Sequence, residues 1–179
     1  MVSVDVRGKR LSNLCLLKSG NIHKNYSPVS DIRKITPRVR LIVIKHGKIL
    51  LSYVKSEDFY FYIGGKMEWG ERIDQSCKRE TLEEAGANFT FKKFLYIRDY
   101  IKPEQDDHSI EFYILGDIDK YQEVEGLRDE EFNGDHWQTW VDLEMLEKLD
   151  VKPKALSKQI IKDYKNGFKG ECVYLREID

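Results

Sequence analysis

Cysteine is scarce and odd in number: Cys15, Cys77 and Cys172 stand apart along 179 residues. No C-x-x-C pair and no even set is present, which excludes a disulfide framework and a zinc ribbon. Three reduced, mostly buried thiols are expected. Long apolar runs are missing too. The longest, Leu41 to Ile44, is strand-sized, against the roughly 18 residues that cross a bilayer. The first residues scatter charges and show no apolar core before a small-residue cleavage site, so no signal peptide is expected. Nor is there a surplus of one charge: 30 Lys and Arg stand against 31 Asp and Glu, a net charge of -1. That balance lacks the broad basic field of a duplex nucleic-acid binder. Internal repeats and low-complexity tracts are also missing. What remains is a chain that is 41% hydrophobic, enough for a real core and of a length that suits one domain. A cytoplasmic protein without a membrane segment is expected.

The first 36 residues are weakly patterned. Val2, Val4 and Val6 alternate with polar residues, Gly8-Lys9 turns, and Leu11 to Leu17 suggests a second strand, a candidate β-hairpin. Loop residues fill Ser19 to Ser30, and Thr36-Pro37 marks a boundary. Beyond it the pattern sharpens. Val39 to Lys45 and Ile49 to Lys55 flank His46-Gly47 as a hairpin, and Phe59 to Ile63 is a short aromatic strand. Ile73 to Ala85 holds neither Gly nor Pro and ends at Gly86, a helix with its stop signal. Phe89 to Ile101, bent near Arg98-Asp99, then the segment around Ile110, Phe112 and Ile114, and Trp137 to Val141 are further strands. Leu143 to Leu149 suggests a short helix. Ala155 to Lys165 suggests a longer one, with Leu156, Ile160 and Tyr164 on one face. Cys172 to Leu175 is a last strand. Sheet with a few helices against it is an α+β pattern.

One segment carries chemistry, GGKMEWGERIDQSCKRETLEEAGA from Gly64 to Ala87. On its helix Glu80, Glu83 and Glu84 lie at i, i+3 and i+4, within an arc of roughly 100°. They repel one another, and they sit in the last turns, where the helix dipole is negative. On an exposed surface each such charge costs a few tenths of a kcal/mol, roughly. A hard divalent cation among them lifts that cost: magnesium, manganese or calcium rather than a soft metal. Arg79 is one turn from Glu83 and able to fix a carboxylate bidentately. Glu71 precedes the helix within reach of Arg79. Gly65 and Gly70 bracket the entering loop, where backbone can approach a ligand closely. An acidic helix face with an arginine is usually only solvated surface. The longer spacing changes that weighing. Gly65, Glu71, Arg79, Glu80, Glu83, Glu84 and Gly86 stand as G-x5-E-x7-R-E-x-x-E-E-x-G. An accidental match has a chance on the order of one in a million, at about one in fifteen per position.

At these residues the sequence resembles the Nudix hydrolase family, whose signature continues with bulky aliphatic residues where Thr81 and Ala87 stand here. The family often has Pro-Gly-Gly where Ile63-Gly64-Gly65 stands. Trp140 to Leu146 followed by Pro153 also looks like the end of such a domain. The resemblance runs from about Arg38 to Lys165. It divides the chain into an N-terminal extension, 1–36, and a Nudix hydrolase domain with a C-terminal helix, 37–179.

The resemblance implies an α/β/α sandwich around a central mixed β-sheet, with the signature as a loop-helix-loop metal site. It implies metal-dependent hydrolysis of the pyrophosphate in a nucleoside diphosphate linked to another group: a nucleotide sugar, ADP-ribose or a (d)NTP. Glu80, Glu83 and Glu84, with the carbonyl of Gly65, would hold Mg2+ or Mn2+, and Arg79 and Glu71 would orient them. The general base would be a signature glutamate or a later acid, and Glu104, Asp106, Asp107, Glu111 and Glu131 are the candidates. Glu111 ranks first, since it shares a sheet face with Tyr113, opposite Ile110, Phe112 and Ile114. His108 could donate to phosphate. Phe59, Tyr60, Phe61, Tyr62 and Trp69 could stack on a base, although alternation sends about half of them to the core. Pro103, 16 residues past Ala87, matches a proline common in ADP-ribose pyrophosphatases. Isoprenoid diphosphate isomerisation would require a catalytic cysteine, and Cys77 lacks a matching set. The alternative of another class is a nucleotide-binding sensor of the same fold without turnover. Such modules usually lose signature acids, and this chain keeps them. Homodimer formation is common in the family, and residues 1–36 would be the place for it.

Overall fold

The computed structural model describes residues 34–128 and 133–176. The candidate hairpin at 1–36, Cys15 and Glu131 therefore lie outside the described residues, apart from the last few of that segment. Among the described residues, eight strands and two α-helices follow in the order β1 (Thr36–Lys45), β2 (Lys48–Val54), β3 (Phe59–Phe61), α1 (Ile73–Ala85), β4 (Phe89–Lys102), β5 (Asp107–Ile118), β6 (His136–Asp142), β7 (Val151–Lys152), α2 (Lys154–Lys165) and β8 (Val173–Leu175). The sheet is mixed and runs β7-β3-β2-β1-β5-β4-β8, with β6 on the other edge of β2. β1 turns through His46-Gly47 into β2, and most of its length pairs in parallel with β5, from Thr36 opposite Ser109 to Val43 opposite Gly116.

Alternation along β1 gives the sheet two apolar faces. Val39, Leu41 and Val43 join Leu50, Ile63 and Ile114 in one buried cluster, where Cys77, Ala85 and Ala87 pack from and just after α1. Ile42 joins Ile49, Leu51, Tyr62 and Tyr113 in the other, which Leu156 and Ile160 of α2 close. Burying each such aliphatic side chain contributes about 1.5–3 kcal/mol. The result is the expected α/β/α sandwich. Thr81 and Ala87, the two departures from the signature, are fully buried, and the Thr81 hydroxyl donates to the Cys77 carbonyl at 2.7 Å. A small residue and a self-satisfied hydroxyl thus fill those packing positions.

Several expectations need correction. Cys77 is buried but Cys172 is exposed, because it precedes a short edge strand with exposed residues around it. Tyr164 is exposed although Leu156 and Ile160 on its face are buried; its ring packs edge-on against Phe168 after the helix. Leu143–Met145 is one turn of 3-10 helix, not a longer helix. The irregularities in β4 fall between Phe91 and Lys93 and between Phe94 and Tyr96, not near Arg98. Each bulge inserts one unpaired residue, which brings both Phe91 and Phe94 to the α1 side.

Candidate functional site

The sequence around α1 sets the site in place. Gln75 accepts the Arg72 N–H at 2.9 Å and secures the start of the helix. Gly86 ends it in the left-handed region (φ 57°), its N–H donating to the Leu82 carbonyl at 3.0 Å. No basic residue occupies the last turn, so Glu83 and Glu84 face the negative end of the helix dipole with no cation in that turn. The loop ahead of α1 is pinned to β1: Val39 N–H donates to the Gly65 carbonyl at 3.0 Å and Met67 N–H to the Pro37 carbonyl at 3.0 Å.

Arg79 is the centre of an ion cluster. Its Nε donates to Glu71 Oε1 at 3.0 Å and its Nη2 to Glu71 Oε2 at 3.1 Å, a bidentate pair. Nη1 bridges Glu80 Oε1 at 2.8 Å and Glu83 Oε2 at 2.9 Å. Nη2 also reaches the Lys66 carbonyl at 2.9 Å. The arginine thereby ties the loop to the helix and fixes two carboxylates. Its hydrogen bond holds the Glu71 carboxyl below the ordinary range. Glu80 is only 7% exposed, and burial pushes its carboxyl up in spite of Arg79. Glu84 Oε2 accepts the Gly64 N–H at 3.1 Å. A Cβ on Gly65 would come within 2.7 Å of Glu80 Oε2, so a glycine there lets backbone lie against the carboxylate.

Apart from Glu71, the cluster borders one cavity of about 1370 Å³: Gly64, Gly65, Arg79, Glu80, Glu83 and Glu84 line it, with Phe59 and Phe61 of β3 and residues of β1, β4 and β5. Among the described residues, no three acidic, histidine or cysteine side chains already converge on a common cation-sized point. Arg79 stands between Glu80 and Glu83, and Glu84 is turned to the backbone. The donor set still fits a hard divalent cation: three carboxylates on one cavity, one of them desolvated against a glycine cradle.

The other acids differ in fate. Glu111, 4% exposed, also borders the cavity. It shares its sheet face with Tyr113, as expected. Its Oε1 accepts from Arg40 Nε at 3.2 Å, and its Oε2 accepts from Arg98 Nη1 at 2.9 Å and Tyr113 OH at 2.8 Å. Burial pushes its carboxyl up, but Arg40, Tyr113 and Arg98 together outweigh burial and hold it below the ordinary range. Asp107 borders the cavity too, 3.8 Å from Arg38. Glu104 and Asp106 are exposed on the turn after β4, and with His108 they lie away from the cavity lining. Among the aromatics, Phe59 and Phe61 border the cavity, Tyr62 is core, and Trp69 is fully exposed.

Sequence reasoning missed Arg40 and Arg98. Arg40 Nη1 donates to the Gly64 carbonyl at 3.0 Å, and Arg98 is 4% exposed. The signal was present in each case: an arginine inside a strand otherwise bound for the core. Charged side chains are almost never fully buried unless paired.

A mixed sheet between two helices, with a signature helix whose acids line a cleft, defines a class of hydrolase acting on anhydrides of phosphate. The model of the NUDIX domain family matches residues 35–163, well over half of the chain, and the chain belongs to that family as a Nudix hydrolase. Solved structures share the fold. A UDP-X diphosphatase superposes with a TM-score of 0.60 at 17% identity, over 82% of this chain and 70% of that one. A NUDIX hydrolase from Nitrosomonas europaea gives 0.59 at 22% identity, over 75% and 90%. An ADP-ribose pyrophosphatase from Streptococcus suis gives 0.53 at 14%, over 79% and 100%. No curated protein matches the sequence. Hydrolases of this family generally use a divalent metal and act on small-molecule nucleotides. Among the described residues, no helix is long and apolar enough to cross a membrane.

Proposed function

We propose that this chain hydrolyses the pyrophosphate bond of a nucleoside diphosphate linked to another group, with Mg2+ or Mn2+ held by Glu80, Glu83 and Glu84. The observation that carries the reading is the Arg79 cluster: one guanidinium fixing Glu71, Glu80 and Glu83 at the edge of a cavity that Glu84 and Gly65 also border. A hard divalent cation bound there would lower the pKa of a coordinated water and shield the phosphate oxygens. The chain's own residues do the rest. Glu71 holds Arg79, and Arg79 holds the rotamers of Glu80 and Glu83. Glu84 would exchange its Gly64 N–H contact for the metal, while Arg40 keeps Gly64 anchored through its carbonyl. The Gly65 carbonyl accepts the Val39 N–H and would keep acceptor capacity for a metal. Phe59 and Phe61 supply apolar faces for a base or ring.

Glu111 serves this reaction best as a positioning residue. A carboxylate with both oxygens engaged by arginines and a tyrosine, and with its affinity for protons lowered, is a poor proton acceptor. Its place in the mechanism is to hold Arg40 and Arg98 toward the cavity. The general base then falls to a signature glutamate. The retained signature acids favour turnover over a binding-only sensor. Incubation with Mg2+ and a panel of nucleotide sugars, ADP-ribose and (d)NTPs, with product identification, is the test. Two phosphorylated products from at least one substrate are expected, and tight binding without product would return the protein to the sensor class.

A further inference from the structure

The cavity has a second wall, of which the proposed reaction uses Glu111, Arg40 and Arg98 and leaves the rest without a role. On β5, Glu111, Ser109 and Asp107 alternate onto one face. Their pairing partners stand beside them: Arg98, Tyr100 and Lys102 on β4, and Arg38 opposite Glu111 on β1. Every one of these residues borders the cavity, as does Arg40. Four cations thus face two carboxylates, a positive surplus across the cleft from the acids of α1. Arg98 and Lys102 also pack on the Tyr100 ring, with Cζ 4.7 Å and Nζ 5.4 Å from its centroid. The two walls meet at one residue, where Gly64 donates its N–H to Glu84 and accepts Arg40 on its carbonyl.

In the middle of the positive wall, Ser109 is fully buried. Its hydroxyl makes no hydrogen bond. A buried hydroxyl without a partner is uncommon, and here it stands among guanidinium and ammonium groups on the border of the cavity. Hydroxyl, guanidinium and ammonium are together the donor set for a phosphate or a carboxylate.

We propose that this strand wall is an anion subsite for the group on the far side of the scissile anhydride, so that the preferred substrate is a nucleoside diphosphate whose second moiety itself carries a phosphate or carboxylate, not a neutral sugar. Arg38, Lys102 and Ser109 make the contacts, and Glu111 holds Arg98 and Arg40 in line behind them. The proposal rests on the pyrophosphohydrolase reading for the place of the scissile bond, and its test is separable from that reading.

The test is equilibrium binding of inorganic tripolyphosphate to the full chain in EDTA, by calorimetry. Without metal, the acids of α1 contribute no affinity for an anion, and the strand-wall variants separate that wall from Lys66, Arg79, Lys152 and Lys154, which also border the cavity. Arg38→Gln and Lys102→Gln should each weaken binding about tenfold, and Ser109→Ala about threefold, with far-UV circular dichroism unchanged. Glu83→Gln should bind no more weakly than the wild type. Absence of binding in EDTA, or wild-type affinity in all three strand-wall variants, overturns the subsite whatever the hydrolysis assay shows. Competition then separates the sources of the anion. UTP or UDP-glucuronate should displace tripolyphosphate at least about tenfold more effectively than UDP-glucose, and the stronger of the two identifies a phosphate or a carboxylate. Equal displacement by UDP-glucose overturns the preference. Loss of hydrolysis in every assay, with these affinities intact, would sink the pyrophosphohydrolase reading alone.

Discussion

The two ion clusters on the cavity are inverses of each other. On α1 one arginine serves several acids: Arg79 binds Glu71, Glu80 and Glu83. On the strands one acid serves two arginines: Glu111 binds Arg40 and Arg98. Burial differs as well. The Glu83 side chain is 56% exposed, whereas those of Arg98 and Glu111 are about a twentieth exposed. A cluster with surplus acid and solvent access can exchange partners and accept a cation. A cluster buried along the sheet wall of the cavity cannot change partners without stranding a charge. The first is suited to chemistry and the second to fixing geometry, and substitutions should separate the two.

The largest effect is expected in the buried cluster. Glu111→Gln removes the carboxylate that Arg40 and Arg98 share in the sheet, at a cost of about 3–5 kcal/mol. For a chain of this size that lowers Tm by roughly 10 °C. Thermal denaturation in EDTA checks it, and a shift under about 2 °C would show that the arginines find other partners. Glu83→Gln should do the reverse. It removes an exposed carboxylate, so Tm should stay within about 2 °C. Turnover with Mg2+ should fall by at least about 100-fold. Full turnover in both Glu83→Gln and Glu84→Gln would remove the signature acids from the mechanism.

Gly65→Ala is intermediate. The new methyl group meets only the far end of the Glu80 side chain, which can move aside. Stability should fall by no more than about 1 kcal/mol, and turnover by about tenfold as Glu80 leaves its position. A raised requirement for Mg2+ in a titration would tie the loss to the metal site; an unchanged one would place it elsewhere.

How much of this was legible in the sequence follows the same division. The α1 cluster is local. Glu71 to Glu84 lie within one loop and one helix, the helix limits are set by an absence of Gly and Pro up to Gly86, and regular spacing shows which side chains meet. The sandwich was legible because β1 alternates cleanly between two apolar sets. The strand cluster was only half legible. Alternation placed Glu111 beside Tyr113, but its partner Arg40 lies 71 residues away. The parallel pairing of β1 with β5 that joins them leaves no mark in either segment. Bulges are equally silent. Two unpaired residues in β4 shift which of Phe91, Phe94 and Tyr96 face α1, and period-2 reasoning cannot anticipate them.

The smallest effect tests the contrast through pH. Glu80 is held above its ordinary value of 4.5 by burial. Its contribution to stability is complete below that value and is lost as pH rises through the higher folded one. Glu111 is held below 4.5 despite burial. Its contribution is present above that value and is lost as pH falls through the lower folded one. In EDTA at pH 7, Glu80→Gln should therefore melt at or slightly above the wild type, by about 2 °C at most, since it relieves a desolvated charge; the gain should vanish near pH 4. The deficit of Glu111→Gln should instead be greatest at pH 7 and shrink on acidification. Melting curves of both variants from pH 4 to pH 7 would decide it. If Glu80→Gln lost stability at pH 7, the Arg79 contact would outweigh burial, and α1 would be held together by the very carboxylate that the reaction requires to be available.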